Sequence, residues 1–185
     1  MNNKRKILGV GLILLCVAGG FTWGVNASDQ GKSGEKGRRD VEPVNNAQYR
    51  TECGACHFAY QPGLLPARSW EKLLNTLGDH FGESAELSKE VQSALLTYLT
   101  THAADRVDSK RSQKIVVSIR SSETPLRITK VRYFVGKHQE IPQKVWEKNP
   151  AIGSLMRCET CHTKADQGSF NEHEIQIPGV GRWEN

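Results

Sequence analysis

Two five-residue stretches hold the reactive side chains of this protein. Residues 53–57 read CGACH and residues 158–162 read CETCH. With 5 cysteines and 6 histidines in 185 residues, a shuffled chain would contain Cys-x-x-Cys-His roughly 0.004 times, so two copies need a chemical reason. A zinc site brings two such cysteine pairs together across about fifteen to twenty residues. Here 101 residues separate Cys56 from Cys158, which argues against a compact finger. A thiol–disulfide exchanger places a cysteine of low pKa at a helix start after a strand, and no strand-like run precedes Cys53 or Cys158. Neither chemistry needs the histidine. Attachment of c-type haem uses all of these residues. Two thiols one helical turn apart form thioethers with the vinyl groups, and the next residue offers its imidazole to iron. The pattern therefore predicts two covalent c-type haems, one on Cys53, Cys56 and His57, the other on Cys158, Cys161 and His162.

The N-terminus indicates where such attachment would take place. A cationic MNNKRK precedes a stretch without charge from Ile7 to Val25, and small residues stand at Val25 and Ala27 before Ser28. This is the layout of a secretory signal over residues 1–27, cleaved to release a periplasmic protein. The alternative is an uncleaved anchor, since the apolar stretch is about long enough to span a bilayer. Cys16 follows Leu15, where a lipid attachment site would need a small residue, and is read as filler. Without residues 1–27 the formal charge falls from +5 to +2, with 22 basic and 20 acidic residues. The pI near 9.0 thus partly describes the signal, and nucleic acid is not an expected partner. Residues 28–46, SDQGKSGEKGRRDVEPVNN, are polar and Gly-rich and read as a flexible leader.

Each iron needs consideration on its second face. Electron-transfer cytochromes often place Met there. Met1 leaves with the signal, and Met156 lies two residues before Cys158, on the attachment side. The sixth ligand is thus His, something weaker, or nothing. His80, His102, His138 and His173 remain. His80 ends an amphipathic stretch in GDHFGE, 23 residues after His57, far enough for the chain to cross to the other face. His102 falls at a helix end, where packing or solvation is the plainer role. His138 follows the apolar run VRYFV and precedes Ile141 and Pro142, which can hold an imidazole in place, whereas His173 sits in the polar NEHE.

The elements that must position these residues fall into two units. Residues 47–105 form a first haem domain: a helix through AQYRTECGACH, then SWEKLLNTLGDHF with Trp70, Leu73, Leu74 and Leu77 at helical spacing. SKEVQSALLTYLTTH follows, capped by Ser88, with Val91, Leu95, Tyr98 and Leu99 in one stripe. Residues 106–112, RVDSKRS, read as a charged link. In residues 113–185, KIVVSI and RITKVRYFV are β-branched and aromatic around the turn residues RSSETPL, which predicts an antiparallel hairpin. IPQKVWEK is a short helical turn, Asn149 and Pro150 begin the second attachment helix, and the C-terminal tail is extended over the haem. The fold class is mainly α: a cytochrome c-like helical haem domain, then a smaller haem domain containing a β-hairpin.

LGDHFGE, YLTTHAAD, PLRIT, GKHQEIP and CETCHTKADQGSF resemble the bacterial dihaem cytochrome c family over nearly everything from Gln48 to Pro178. The resemblance implies His80 as the second ligand of the first haem and His138 as that of the second. It also implies bis-His haems of low potential and electron delivery to a monohaem cytochrome c, a membrane cytochrome b, or both. His102 matches no ligand position of the family pattern. An electron-transfer protein outside the cytoplasm, not an enzyme, is the expected function. A haem enzyme or small-ligand sensor with one five-coordinate iron is the alternative.

Overall fold

The computed structural model describes residues 40–183. The predicted signal, residues 1–27, and residues 28–39 of the leader lie outside the described residues. Seven helices carry the described chain: α1 (Ala47–Gly54), α2 (Ala67–Asn75), α3 (Lys89–Thr101), α4 (Lys110–Ser118), α5 (Arg132–His138), α6 (Gln143–Trp146) and α7 (Cys158–Cys161). Near the C-terminus β1 (Gln176–Ile177) pairs antiparallel with β2 (Gly181–Arg182), Ile177 lying opposite Gly181. The fold is mainly α, as expected.

Local chemistry sets the helix starts in the first half. The Asn46 side chain accepts from the Tyr49 amide at 2.8 Å, and Ser88 accepts from the Val91 amide at 3.3 Å. Each satisfies a donor that the first helical turn leaves without a partner. Helices α2 and α3 then bury Trp70, Leu73 and Leu74 against Leu95 and Leu99, with Tyr49 of α1 beside them. The apolar spacing read from the sequence is the packed face of these helices.

Three expectations are corrected. The predicted hairpin at 114–135 is helical: KIVVSI falls in α4 and RITKVRYFV in a 3₁₀ turn, Ile128–Lys130, followed by α5. β-branched composition favours a strand only where a sheet offers a pleated surface to pack on. Here Ser112 and Ile115 share one buried helical face and Ile119, just past the helix end, is buried too, while Val117 points into solvent. The hairpin of the second half lies instead at 176–182, turning through Gly179 at φ 75°. Second, the charged link is partly packed, with Arg106, Asp108 and Lys110 exposed but Ser109 and Ser112 buried. Ser109 donates to Ser112 at 2.6 Å, and Ser112 donates to the Gly63 carbonyl at 2.7 Å, all of it buried. Third, the end of the leader is packed: Val41 and Val44 are buried in the same core. The Val41 amide donates to the Gly168 carbonyl at 3.2 Å.

The core runs without a break from Val41 through Val131, so residues on both sides of 106–112 share it. Before the second motif, Asn149 caps only one turn, and Gly153 at φ 67° ends it. Helix α7 is therefore the motif itself and little more. No helix among the described residues is long and apolar enough to cross a membrane.

Candidate haem-binding sites

Helix α1 carries Cys53, and the turn after it presents Cys56 and His57. His57 Nδ1 donates to the Phe58 carbonyl at 2.7 Å, since a carbonyl can only accept, and this leaves Nε2 with its lone pair free. Facing it is His80, which follows the 3₁₀ turn Leu77–Asp79. The two rings are nearly parallel, 19° apart in plane, with centroids 6.2 Å apart. The loop holding His80 is tight. Its amide donates to Glu83 at 2.7 Å, Asp79 accepts from the Gly82 amide at 2.9 Å, and Phe81 adopts a left-handed φ of 62°. Such a backbone costs a non-glycine residue about 1–3 kcal/mol and persists only where surrounding contacts hold it. Here the Arg127 guanidinium lies 3.8 Å from the Phe81 ring centroid.

The second site is more enclosed. His138 ends α5, a helix rather than the expected strand, and its Nδ1 donates to the Phe134 carbonyl at 2.8 Å. Its ring stacks on Phe134, centroids 3.9 Å apart. His162, directly after α7, faces it with centroids 6.1 Å apart and planes crossed at 71°. Both line a cavity of about 1320 Å³ with Cys158 and Cys161, walled by Phe134, Ile152, Ile175 and Ile177. Burial, then the neighbouring His138 and Arg111, pushes His162 down to about 4, and burial also lowers His138. Both imidazoles are neutral at pH 7 and offer lone pairs rather than charge. His162 Nδ1 is buried without a hydrogen-bond partner.

The cysteines do not suit thiol exchange. Burial and the adjacent Glu52 push Cys53 up to about 11, and burial with Glu159 pushes Cys158 up to about 12, the opposite of an activated thiolate. None of the four described cysteines is in a disulfide, and no three His, Cys, Asp or Glu side chains among the described residues converge as a metal cluster. The residues do fit haem. An imidazole nitrogen bonds a metal at about 2.0 Å, so two rings facing each other through one metal have centroids about 6 Å apart. Each Cys-x-x-Cys-His motif has one such facing ring, in a site large enough for a porphyrin at the second.

Of the remaining histidines, His173 also lines the second cavity. His102 caps α3 through Nδ1 and the Tyr98 carbonyl at 2.9 Å, and His173 is exposed in the turn Glu172–Glu174. Sequence reading missed Tyr60, Phe81, Arg111 and Arg127. Arg111 and Arg127 reach their sites from other segments of the chain, and Tyr60 and Phe81, although close in sequence to His57 and His80, take their roles from partners remote in sequence, Met156 and Arg127.

Fold and sites together define a c-type cytochrome with two haem attachment motifs. The dihaem cytochrome c family profile matches residues 49–170, and the chain belongs to that family of electron-carrying haem proteins, with two c-type haems. A diheme cytochrome type c from Shewanella baltica OS155 is 37% identical, with a TM-score of 0.62, covering 75% of this chain and 98% of its own. The diheme cytochrome c from Rhodobacter sphaeroides is 39% identical, also with a TM-score of 0.62, covering 70% of this chain and 100% of its own. No curated protein matches the sequence.

Proposed function

We propose that this protein is a single-electron carrier in which His57 with His80 hold one haem iron and His138 with His162 the other. The observation that supports this most directly is the pair of facing rings, 6.2 and 6.1 Å apart, one at each attachment motif. Each haem, when bound, supplies an iron that alternates between ferric and ferrous by one electron. Cys53, Cys56, Cys158 and Cys161 hold the groups as thioethers, which fixes their position through every cycle. The Nδ1 bonds of His57 and His138 to Phe58 and Phe134 orient those rings and make the opposite nitrogen more basic. Two imidazoles on each iron leave no position for a substrate, so the function is electron transfer and not catalysis. They also lack the thioether ligand that raises potential, so both centres are of low potential.

The apolar N-terminal segment supports export to the periplasm, with retention at the membrane if it is not cleaved. The partners that suit two low-potential centres are other redox proteins, a monohaem cytochrome c or a membrane cytochrome b. An optical spectrum tests the ligation: low-spin iron at both centres, unchanged by carbon monoxide after reduction. A high-spin component that binds carbon monoxide would replace this reading with that of a haem enzyme or sensor.

A further inference from the structure

One aromatic side chain touches both haem sites, although neither motif contains it. The Tyr60 ring stacks on His57 with centroids 5.1 Å apart and planes 29° apart. Its hydroxyl donates to the Met156 carbonyl at 2.7 Å, across 96 positions of sequence. Cys158 Sγ lies 3.9 Å from the same carbonyl oxygen. The contacts thus lead from an imidazole of the first site, through a π-system and a hydrogen bond, to within 3.9 Å of a thioether-forming sulfur of the second.

Tyr60 is also held firmly. Tyr49, itself buried, donates its hydroxyl to the Tyr60 carbonyl at 2.8 Å, and Phe58 meets the ring edge-on at 5.6 Å. Next to it Gln61, fully buried, donates to the Ala165 carbonyl, a second tie between the same two segments.

We propose that Tyr60 is the electron bridge between the two haems. This rests on the electron-carrier reading above. One electron leaves the ferrous iron of one haem, which becomes ferric, and reduces the ferric iron of the other. No bond to Tyr60 forms or breaks, and its proton stays in place. The ring shortens the gap beside His57, and the hydroxyl replaces a jump through space by a hydrogen bond. Electron tunnelling is faster through bonded and hydrogen-bonded atoms than across an empty gap of equal length. Tyr60 is a positioning residue for that path and touches neither iron.

The test uses the full-length dihaem protein and photogenerated flavin semiquinone as reductant. Transfer between haems appears as an absorbance phase whose rate does not depend on protein concentration. Tyr60→Phe keeps the ring and loses the hydrogen bond, and a several-fold slower phase is expected. Tyr60→Leu loses both, and a larger slowing is expected. In both, the low-spin spectrum and the two potentials should stay as in the wild type. An unchanged rate in Tyr60→Phe and Tyr60→Leu would overturn the bridge while leaving the electron-carrier reading intact. Slowing that appears only with an altered spectrum or potential would make Tyr60 a packing residue and equally overturn it. The carbon monoxide spectrum tests the carrier reading by itself, so the two failures are distinguishable.

Discussion

At the scale of single residues, the two histidine pairs differ in one respect that a spectrometer can read. The rings of His57 and His80 are 19° from parallel, whereas those of His138 and His162 cross at 71°. Parallel imidazoles split the two π-type iron orbitals, and crossed imidazoles leave them close in energy. Electron paramagnetic resonance of the oxidised protein should therefore show one rhombic low-spin signal and one strongly anisotropic signal. Two identical signals would contradict this geometry. Ligand exchange distinguishes the centres by energy. His80→Met should raise the potential of the first haem and leave the second nearly unaltered in a redox titration, because a thioether favours ferrous iron. At the second haem, His138→Ala should keep the group attached but make it high-spin and able to bind carbon monoxide. His173→Ala, at an exposed position, should leave the spectrum unchanged. Exchange of those two outcomes would mean that the C-terminal tail supplies the ligand.

Among the structural elements, the segment before α1 packs closely against one glycine. Gly168 has φ 77°, and a Cβ placed there would meet the Val41 carbonyl oxygen at 2.2 Å. The left-handed backbone alone costs a non-glycine residue about 1–3 kcal/mol, and the clash is with rigid backbone. Gly168→Ala should lower the midpoint of chemical denaturation and expose residues 41–44 to hydrogen exchange. A variant with wild-type stability and protection would show that Val41 and Val44 contribute little to the core. Asp40 reinforces the same junction, accepting from Arg111 at 3.0 Å and from the Phe170 amide at 2.8 Å. Composition alone presents this stretch as leader, because two valines among polar residues are not recognisable as core until their partners are known. The same reason explains the hairpin read at 114–135. Its β-branched residues suit a strand locally, yet Ser112 and Ile115 lie on one buried helical face, Ser112 bonded to Gly63.

For the whole molecule, acid–acetone extraction should leave the colour on the polypeptide, and the denatured mass should exceed that of the chain by two haems. Extractable haem, or an excess of one, would contradict covalent attachment at both motifs. The sequence by itself determined the attachment chemistry, since thioether formation and the adjacent ligand depend on residues within five positions of each other. It also determined the packed faces of α2 and α3, because helical periodicity is local. The resemblance singled out His80 and His138, and the chain brings both opposite the motif histidines. Only the tertiary structure decided how those rings are turned, 19° in one pair and 71° in the other, since that depends on the loop at Phe81 and the helix at Phe134. It alone placed Tyr60 against Met156, and Arg127 over Phe81. Contacts between segments so far apart arise when the two halves share one core, and no pattern within either segment encodes them.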